Sequence, residues 1–258
     1  MNSDHVLVER DGAIGRITFD APERLNAVDP PMLRAIVAAV QDCDADPQVR
    51  VIALRGAGRA FSAGADLTRS GDGVAQIPVE TALGVGAVSA ALVAASTPTV
   101  ALVPGVAAGA GVSIALACDY VLAGESSRWV LAFGAIGLMP DAGGTALVAA
   151  NIGRARALRL ALTGEQLRGP VAAEWGLVSE CVPDADFDTR AEEILAHLAA
   201  GPPLAWADTT AAINAATIDI EATLAIEEPA QQRLLASDDL AEGLAAFLEK
   251  RAPTFRGR

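Results

Sequence analysis

Aromatic side chains are scarce, at 4% of the residues, with a single tyrosine and three tryptophans. A core without many large rings must be filled by alanine, valine, leucine and isoleucine. Hydrophobic residues do make up 52% of the 258-residue chain, enough for one large domain or a core plus an appendage. Cysteine is also sparse. Cys43, Cys118 and Cys181 are odd in number and widely spaced. That pattern argues against a disulfide framework or a zinc site and reads as buried free thiols in a reducing compartment. The two histidines, His5 and His197, have no nucleophile partner by sequence and no metal-ligand spacing. Long apolar runs are missing as well. The longest, Val100 to Leu116, is broken by Pro104, three glycines and Ser113, whereas a membrane span needs roughly 18 uninterrupted apolar residues. No basic segment followed by an apolar one precedes Val6, so no signal peptide is expected and the cytoplasm is the expected location.

Positive charge is short overall. The net charge of −13 argues against a nucleic-acid partner. The balance is uneven, however: Lys250, Arg251, Arg256 and Arg258 crowd the last nine residues with no acid among them. A basic end on an acidic body suits either a phosphate-bearing ligand or a solvated, frayed terminus.

What is present has a clear order. Val6 to Arg10, Asp11-Gly12 and Ile14 to Phe19 read as a hairpin. Pro30-Pro31 opens a helix with an apolar stripe of Met32, Leu33, Ile36, Val37 and Val40. Val49 to Leu54, Thr99 to Val103 and Tyr120 to Ala123 read as strands. A helix over about Val79 to Ala94 and another ending near Cys118 fall between them. Strand and helix alternate, which implies a mainly parallel sheet with crossover helices. Thr68 to Pro78 is polar and glycine-rich and reads as a mobile loop. Beyond Pro183 the pattern turns helical, over Phe187–Ala200, Pro203–Ala216, Glu221–Ala236 and Leu240–Lys250. The expected organisation is an α/β core over 1–186 and a helical region over 187–258.

Two runs of very small residues follow apolar segments: Phe61-Ser62-Ala63-Gly64-Ala65-Asp66 and Ala107-Ala108-Gly109-Ala110-Gly111-Val112-Ser113. Main-chain amides approach a ligand closely only where side chains are tiny. One amide from each run, with Ala63 and Ala110 as candidates, could converge on one oxyanion and hold an enolate without a charged side chain. Such runs also serve as plain close-packing devices. Asp141, in Gly137 to Thr145, places a carboxylate just before two glycines and another helix. It suits the N-cap of a helix starting near Ala142. It suits a general base only if Phe133, Ile136, Leu138 and Met139 surround it with apolar surface that offsets the cap. Trp129 is close enough in sequence to Phe133 to line an acyl pocket.

The chain resembles the crotonase superfamily, the enoyl-CoA hydratase/isomerase family. The likeness runs nearly end to end: Pro22 to Ala27, Phe61 to Leu67, Gly105 to Gly111, Ala117 to Asp119, Gly137 to Thr145, Ala173 to Val178 and Gly243 to Arg258. Within the family it is most similar to the 1,2-epoxyphenylacetyl-CoA isomerase group, through Val106 to Gly111, Met139 to Asp141 and Gly153 to Ala157. The resemblance implies a crotonase-like α/β spiral of ββα units, with C-terminal helices that mediate trimer formation and a homotrimer or dimer of trimers as the assembly. It implies an acyl-CoA thioester as substrate, with coenzyme A part of that substrate and no separate cofactor or metal. The N–H groups of Ala63 and Ala110 would hold the thioester oxygen and Asp141 would be the base. Arg24, Asn26, Ala27, Ala63, Asp66, Leu67, Gly109 and Phe133 would line the CoA ester site, Asp66 in a mainly structural role. Phe255 and Arg258 would meet the nucleotide of a neighbouring subunit.

The chain departs from the family's hydratases, which use two glutamates around a water. Their places hold Ser113 and Phe133 here. Adding water across a double bond needs a base for the water and an acid for the carbon. The Ser113 hydroxyl is expected to bond back to its own helix. One carboxylate, Asp141, suits a proton shuttle better: a double-bond shift or the ring isomerisation of an epoxyphenylacetyl-CoA. The alternatives are an enoyl-CoA hydratase and an acyl-CoA-binding protein without catalysis.

Overall fold

The computed structural model describes residues 5–67 and 77–258. The expected hairpin forms from β1 (Val6–Asp11) and β2 (Ile14–Phe19), with Gly12 at φ +60° in the turn. The helix α1 (Pro30–Ala45) begins at Asp29, whose carboxylate accepts the Met32 N–H at 3.0 Å. It leads into β3 (Val51–Gly56), which lies parallel to β2.

From β3 onward the chain repeats one move: a strand in a large sheet, a short strand in a second sheet, then a helix. The strands β3 and β4 (Ala60–Ser62) precede α2 (Val79–Ala94). Next, β5 (Thr99–Val103) and β6 (Val106–Ala108) precede α3 (Ala110–Leu116). Then β7 (Tyr120–Gly124) and β8 (Arg128–Val130) precede α4 (Gly144–Thr163). The spiral ends with β9 (Leu167–Arg168), α5 (Gly169–Trp175) and β10 (Glu180–Val182). The large sheet has the order β1-β2-β3-β5-β7-β10 and is parallel from β2 onward; the small one runs β4-β6-β8-β9. The short strands escaped the sequence reading because two or three residues carry no readable alternation.

Alternate residues of each long strand face opposite sides. Ile52 and Leu54 join the main core with Phe19, Met32, Ile36, Leu92 and Ile114. Val51, Ala53, Val100, Leu102 and Leu122 face the other way, onto Phe187, Ala191, Ile194 and Leu195 of α6 (Phe187–Ala200). The first helix beyond residue 187 thus covers the outer face of the sheet. The last three helices are α7 (Pro203–Thr217), α8 (Ile220–Leu235) and α9 (Asp238–Glu249). Asp219 and Ser237 cap α8 and α9, so both start a residue or two earlier than expected. Of the stretch read as a mobile loop, residues 68–76 lie outside the described residues. Among the described residues, no helix is long and apolar enough to cross a membrane.

Candidate active site

The spiral stacks β4 beside β6, so the two small-residue runs that follow them become neighbours. A Cβ on Gly64 (φ +90°) would lie 2.8 Å from the Ala108 oxygen and 3.3 Å from the Ala110 nitrogen. Only glycine tolerates both that backbone conformation and that approach. Beside this junction lies a cavity of about 250 Å³, lined among others by Ala65, Gly109, Ala110, Phe133, Asp141 and Gln231.

The two candidate oxyanion donors fare differently. Ala110 opens α3, so its N–H has no partner within the helix, and Ala110 lines the cavity. The Ala63 N–H, in contrast, donates to the Leu25 carbonyl at 2.9 Å. It is engaged in holding the wall and is not available to a ligand, which corrects the expectation for Ala63. Two residues on, Val28 bridges Ala65: the Val28 N–H donates to Gly64 O and the Asp66 N–H to Val28 O. In a parallel bridge of this kind, the N–H of Ala65 itself points away from Val28. It has no acceptor among the described residues, and Ala65 lines the cavity. The N–H that is left without an acceptor thus lies two residues after the expected one; the small size of Ala65 was a visible signal, but the bridge to Val28 was not.

Asp141 is 7% exposed, and Gln231 Nε2 donates to its Oδ2 at 2.8 Å. Its Oδ1 is buried without a partner. Burial pushes the carboxyl up to about 7; the nearby Glu227 pushes the same way, while the Gln231 bond opposes them. Phe133, Ile136 and Leu138 supply the expected apolar surroundings; Met139 is not in the cavity wall. The N-cap reading of Asp141 does not hold. The helix α4 starts at Gly144, and the caps come from Glu227, whose carboxylate accepts the Gly143 N–H at 2.7 Å and the Thr145 N–H at 3.0 Å. The Ser113 hydroxyl donates to the Asp141 carbonyl at 2.9 Å rather than to its own helix. The sequence reading missed Gln231 and Phe247, which line the cavity, Phe247 58% exposed at its rim, and Glu227, which lies outside the cavity wall and holds the Asp141 loop. All three come from the C-terminal helices α8 and α9, whose long spacing from Asp141 gave no local signal.

The other expected site residues divide in two. Leu67 and Gly109 line the cavity with Ala63, Ala110, Phe133 and Asp141. Arg24, Asn26, Ala27 and Asp66 do not. Arg24 bonds Asp29 at 3.0 Å and Asp66 at 2.6 Å. The Asn26 side chain accepts the Ala21 N–H and donates to the Ala57 and Ala60 carbonyls, so it ties the wall together. Trp129 is also off the cavity, buried with its indole N–H on Ser127. The tail folds back on the start of α9, where Asp239 accepts the Arg256 and Gly257 N–H groups and Arg258 lies 3.3 Å from Asp238. Phe255 is partly exposed, and neither it nor Arg258 reaches the cavity. Among the described residues, no group of side chains could hold a metal ion.

A two-sheet spiral of ββα turns, with paired small-residue runs at a cavity, is the crotonase fold. The enoyl-CoA hydratase/isomerase family model matches residues 9–258, and the chain belongs to that family of enzymes. A probable enoyl-CoA hydratase of Rhodobacter capsulatus is 43% identical over the whole of both chains. The 1,2-epoxyphenylacetyl-CoA isomerase of Escherichia coli is 36% identical over 99% of each. The crystal structure of an enoyl-CoA hydratase from Mycobacterium avium subsp. paratuberculosis K-10 superposes with a TM-score of 0.92 at 40% identity, covering 99% of this chain and 100% of that one.

Proposed function

We propose that this enzyme isomerises an acyl-CoA thioester through an enolate. Asp141 Oδ1 takes a proton from the carbon beside the thioester carbonyl. The C–H electron pair becomes the enolate double bond, and the negative charge moves to the thioester oxygen. The N–H groups of Ala65 and Ala110 hold that oxygen. Asp141 then returns its proton at the γ carbon, and a β,γ double bond becomes α,β. Opening of an aryl epoxide beside the acetyl unit draws on the same base and the same amides.

The observation that carries this reading is the solitude of Asp141. It is the one ionisable side chain among the described residues of the cavity wall. Ser113 is turned to a carbonyl, and Phe133 has no proton to give. A lone carboxylate can shuttle one proton but cannot both activate water and protonate carbon. The hydratase reading is supported by names, those of the 43% identical relative and of the 40% identical crystal structure among them. Incubation with a six-carbon 3-enoyl-CoA in deuterated water separates them. Deuterium entering the α and γ positions, lost in Asp141→Asn, supports isomerisation. Efficient hydration of crotonyl-CoA by the unaltered enzyme contradicts it.

The remaining assignments belong to the same proposal. Leu67, Gly109 and Phe133 contact the CoA ester, with no cofactor beyond the coenzyme A of the substrate. Phe255 and Arg258 meet the nucleotide of a neighbouring subunit in a homotrimer or dimer of trimers. In favour of assembly, α7 buries none of its residues, and its Leu204 is 80% exposed. The three unpaired cysteines suit the reducing cytoplasm.

A further inference from the structure

Helix α8 reaches the loop that carries Asp141 at two points one helical turn apart. Glu227 takes the main-chain N–H groups of Gly143 and Thr145, and Gln231 takes the carboxyl itself. Both side chains are buried, at 1% and 2% exposure. Between them Ala142 is held at φ +58°, a conformation a non-glycine residue keeps only when its surroundings enforce it. Gln231 binds one carboxyl oxygen and leaves the other without a partner, and both Asp141 and Gln231 face the cavity.

We propose that Gln231 is the positioning residue of the base: it holds Asp141 by Oδ2 and aims Oδ1 at the substrate. This rests on the reading of Asp141 as the base. An amide N–H suits the task because it stabilises the carboxylate without forming a full ion pair, which would leave the base too weak. The charged neighbour on this side is Glu227, with Glu228 beyond it on the same helix. Around the cavity α2 presents Thr81 and Val85, α3 Ala110, the 132–136 turn Phe133 and Ile136, and α9 Phe247; none of these ionises near neutrality.

The test measures the Asp141 carboxyl directly. Protein labelled with ¹³C at aspartate carboxyls is titrated by NMR, the Asp141 resonance being assigned by its loss in Asp141→Asn. In Gln231→Met, which keeps the chain length without the amide, the midpoint rises by about one pH unit. In Gln231→Glu, which keeps the polar head, it rises further, because a like charge then faces the base. Deuterium uptake from a six-carbon 3-enoyl-CoA falls about 10-fold at pH 7 in Gln231→Met, with KM within twofold of the unaltered enzyme. The second variant covers a failure of the first to fold. Unmoved midpoints in folded variants overturn the role of Gln231 alone. Undiminished deuterium uptake in Asp141→Asn overturns the base as well.

Discussion

The Ser113 hydroxyl donates to the Asp141 carbonyl at 2.9 Å, so one short helix serves both halves of the site. The first residue of α3, Ala110, offers its free N–H, and Ser113, three residues on, anchors the loop of the base. The distance from the proposed oxyanion donor to the carboxylate is thereby fixed through one rigid element. Ser113→Ala removes the anchor and leaves a buried carbonyl without its donor, a cost of about 1–2 kcal/mol. Turnover of a 3-enoyl-CoA should fall roughly 10-fold while KM stays put, since the loosened part is the base and not the ester site. Steady-state kinetics alongside thermal unfolding reads both numbers. A large rise in KM with kcat intact would show that Ser113 serves binding.

Ala110 permits a sharper cut. Proline is tolerated at the first position of a helix, where its missing N–H had no helical partner, and here the preceding residue is Gly109. Ala110→Pro therefore deletes one proposed oxyanion donor and keeps the helix. The expected loss in kcat is about 10²–10³-fold. Circular dichroism should be unchanged. Wild-type turnover in a folded Ala110→Pro protein would remove this amide from the mechanism.

Asn26 sits at φ +55°, and its side chain joins three main-chain groups, of Ala21, Ala57 and Ala60, behind the small-residue run. Asn26→Leu leaves those groups buried without partners and should destabilise the fold by about 3–5 kcal/mol. If the protein still folds, its KM for a CoA ester should change less than twofold at a temperature well below its transition. A KM raised 10-fold in a stable variant would restore Asn26 to the ligand site.

These residues show what can be read in a sequence and what cannot. The helix over Val79 to Ala94 and the strand over Thr99 to Val103 are found where periodicity and flanking signals place them. The apolar surroundings of Asp141 are legible in the sequence from Phe133, Ile136 and Leu138 nearby, whereas its role as a base is a proposal. Ala63 was misread because which amide faces a ligand depends on a bridge, and Val28 lies 37 residues away from Ala65. Gln231 was invisible for the same reason on a longer scale. Its partner lies 90 residues earlier, and on α8 alone it is one polar residue among several. Beyond residue 187 the described elements are all helices. The helices beyond it nevertheless cover the sheet and supply part of the cavity wall.

The carboxyl of Asp141 carries two linked pH effects. In its proposed role as a base it works when ionised, so the proposed isomerisation should rise with pH to a plateau above the value of about 7 to which burial raises it. Its effect on stability has the opposite sense. The unfolded chain releases this proton near the ordinary 3.8, whereas the folded chain keeps it to about 7. Between those values the native state binds more protons, so the contribution of this group falls as pH rises through the window and stays low above it. Asp141→Asn is neutral throughout, and its amide oxygen can still accept the Gln231 N–H. The variant should therefore be more stable than the active enzyme at pH 8, by about 1–3 kcal/mol. The gain should shrink steadily on acidification and vanish near pH 4. Urea unfolding at several pH values measures it. An Asn variant no more stable at pH 8 than at pH 4, relative to the parent, would mean that the carboxylate is well solvated, and a well-solvated carboxylate is too weak a base for this reaction.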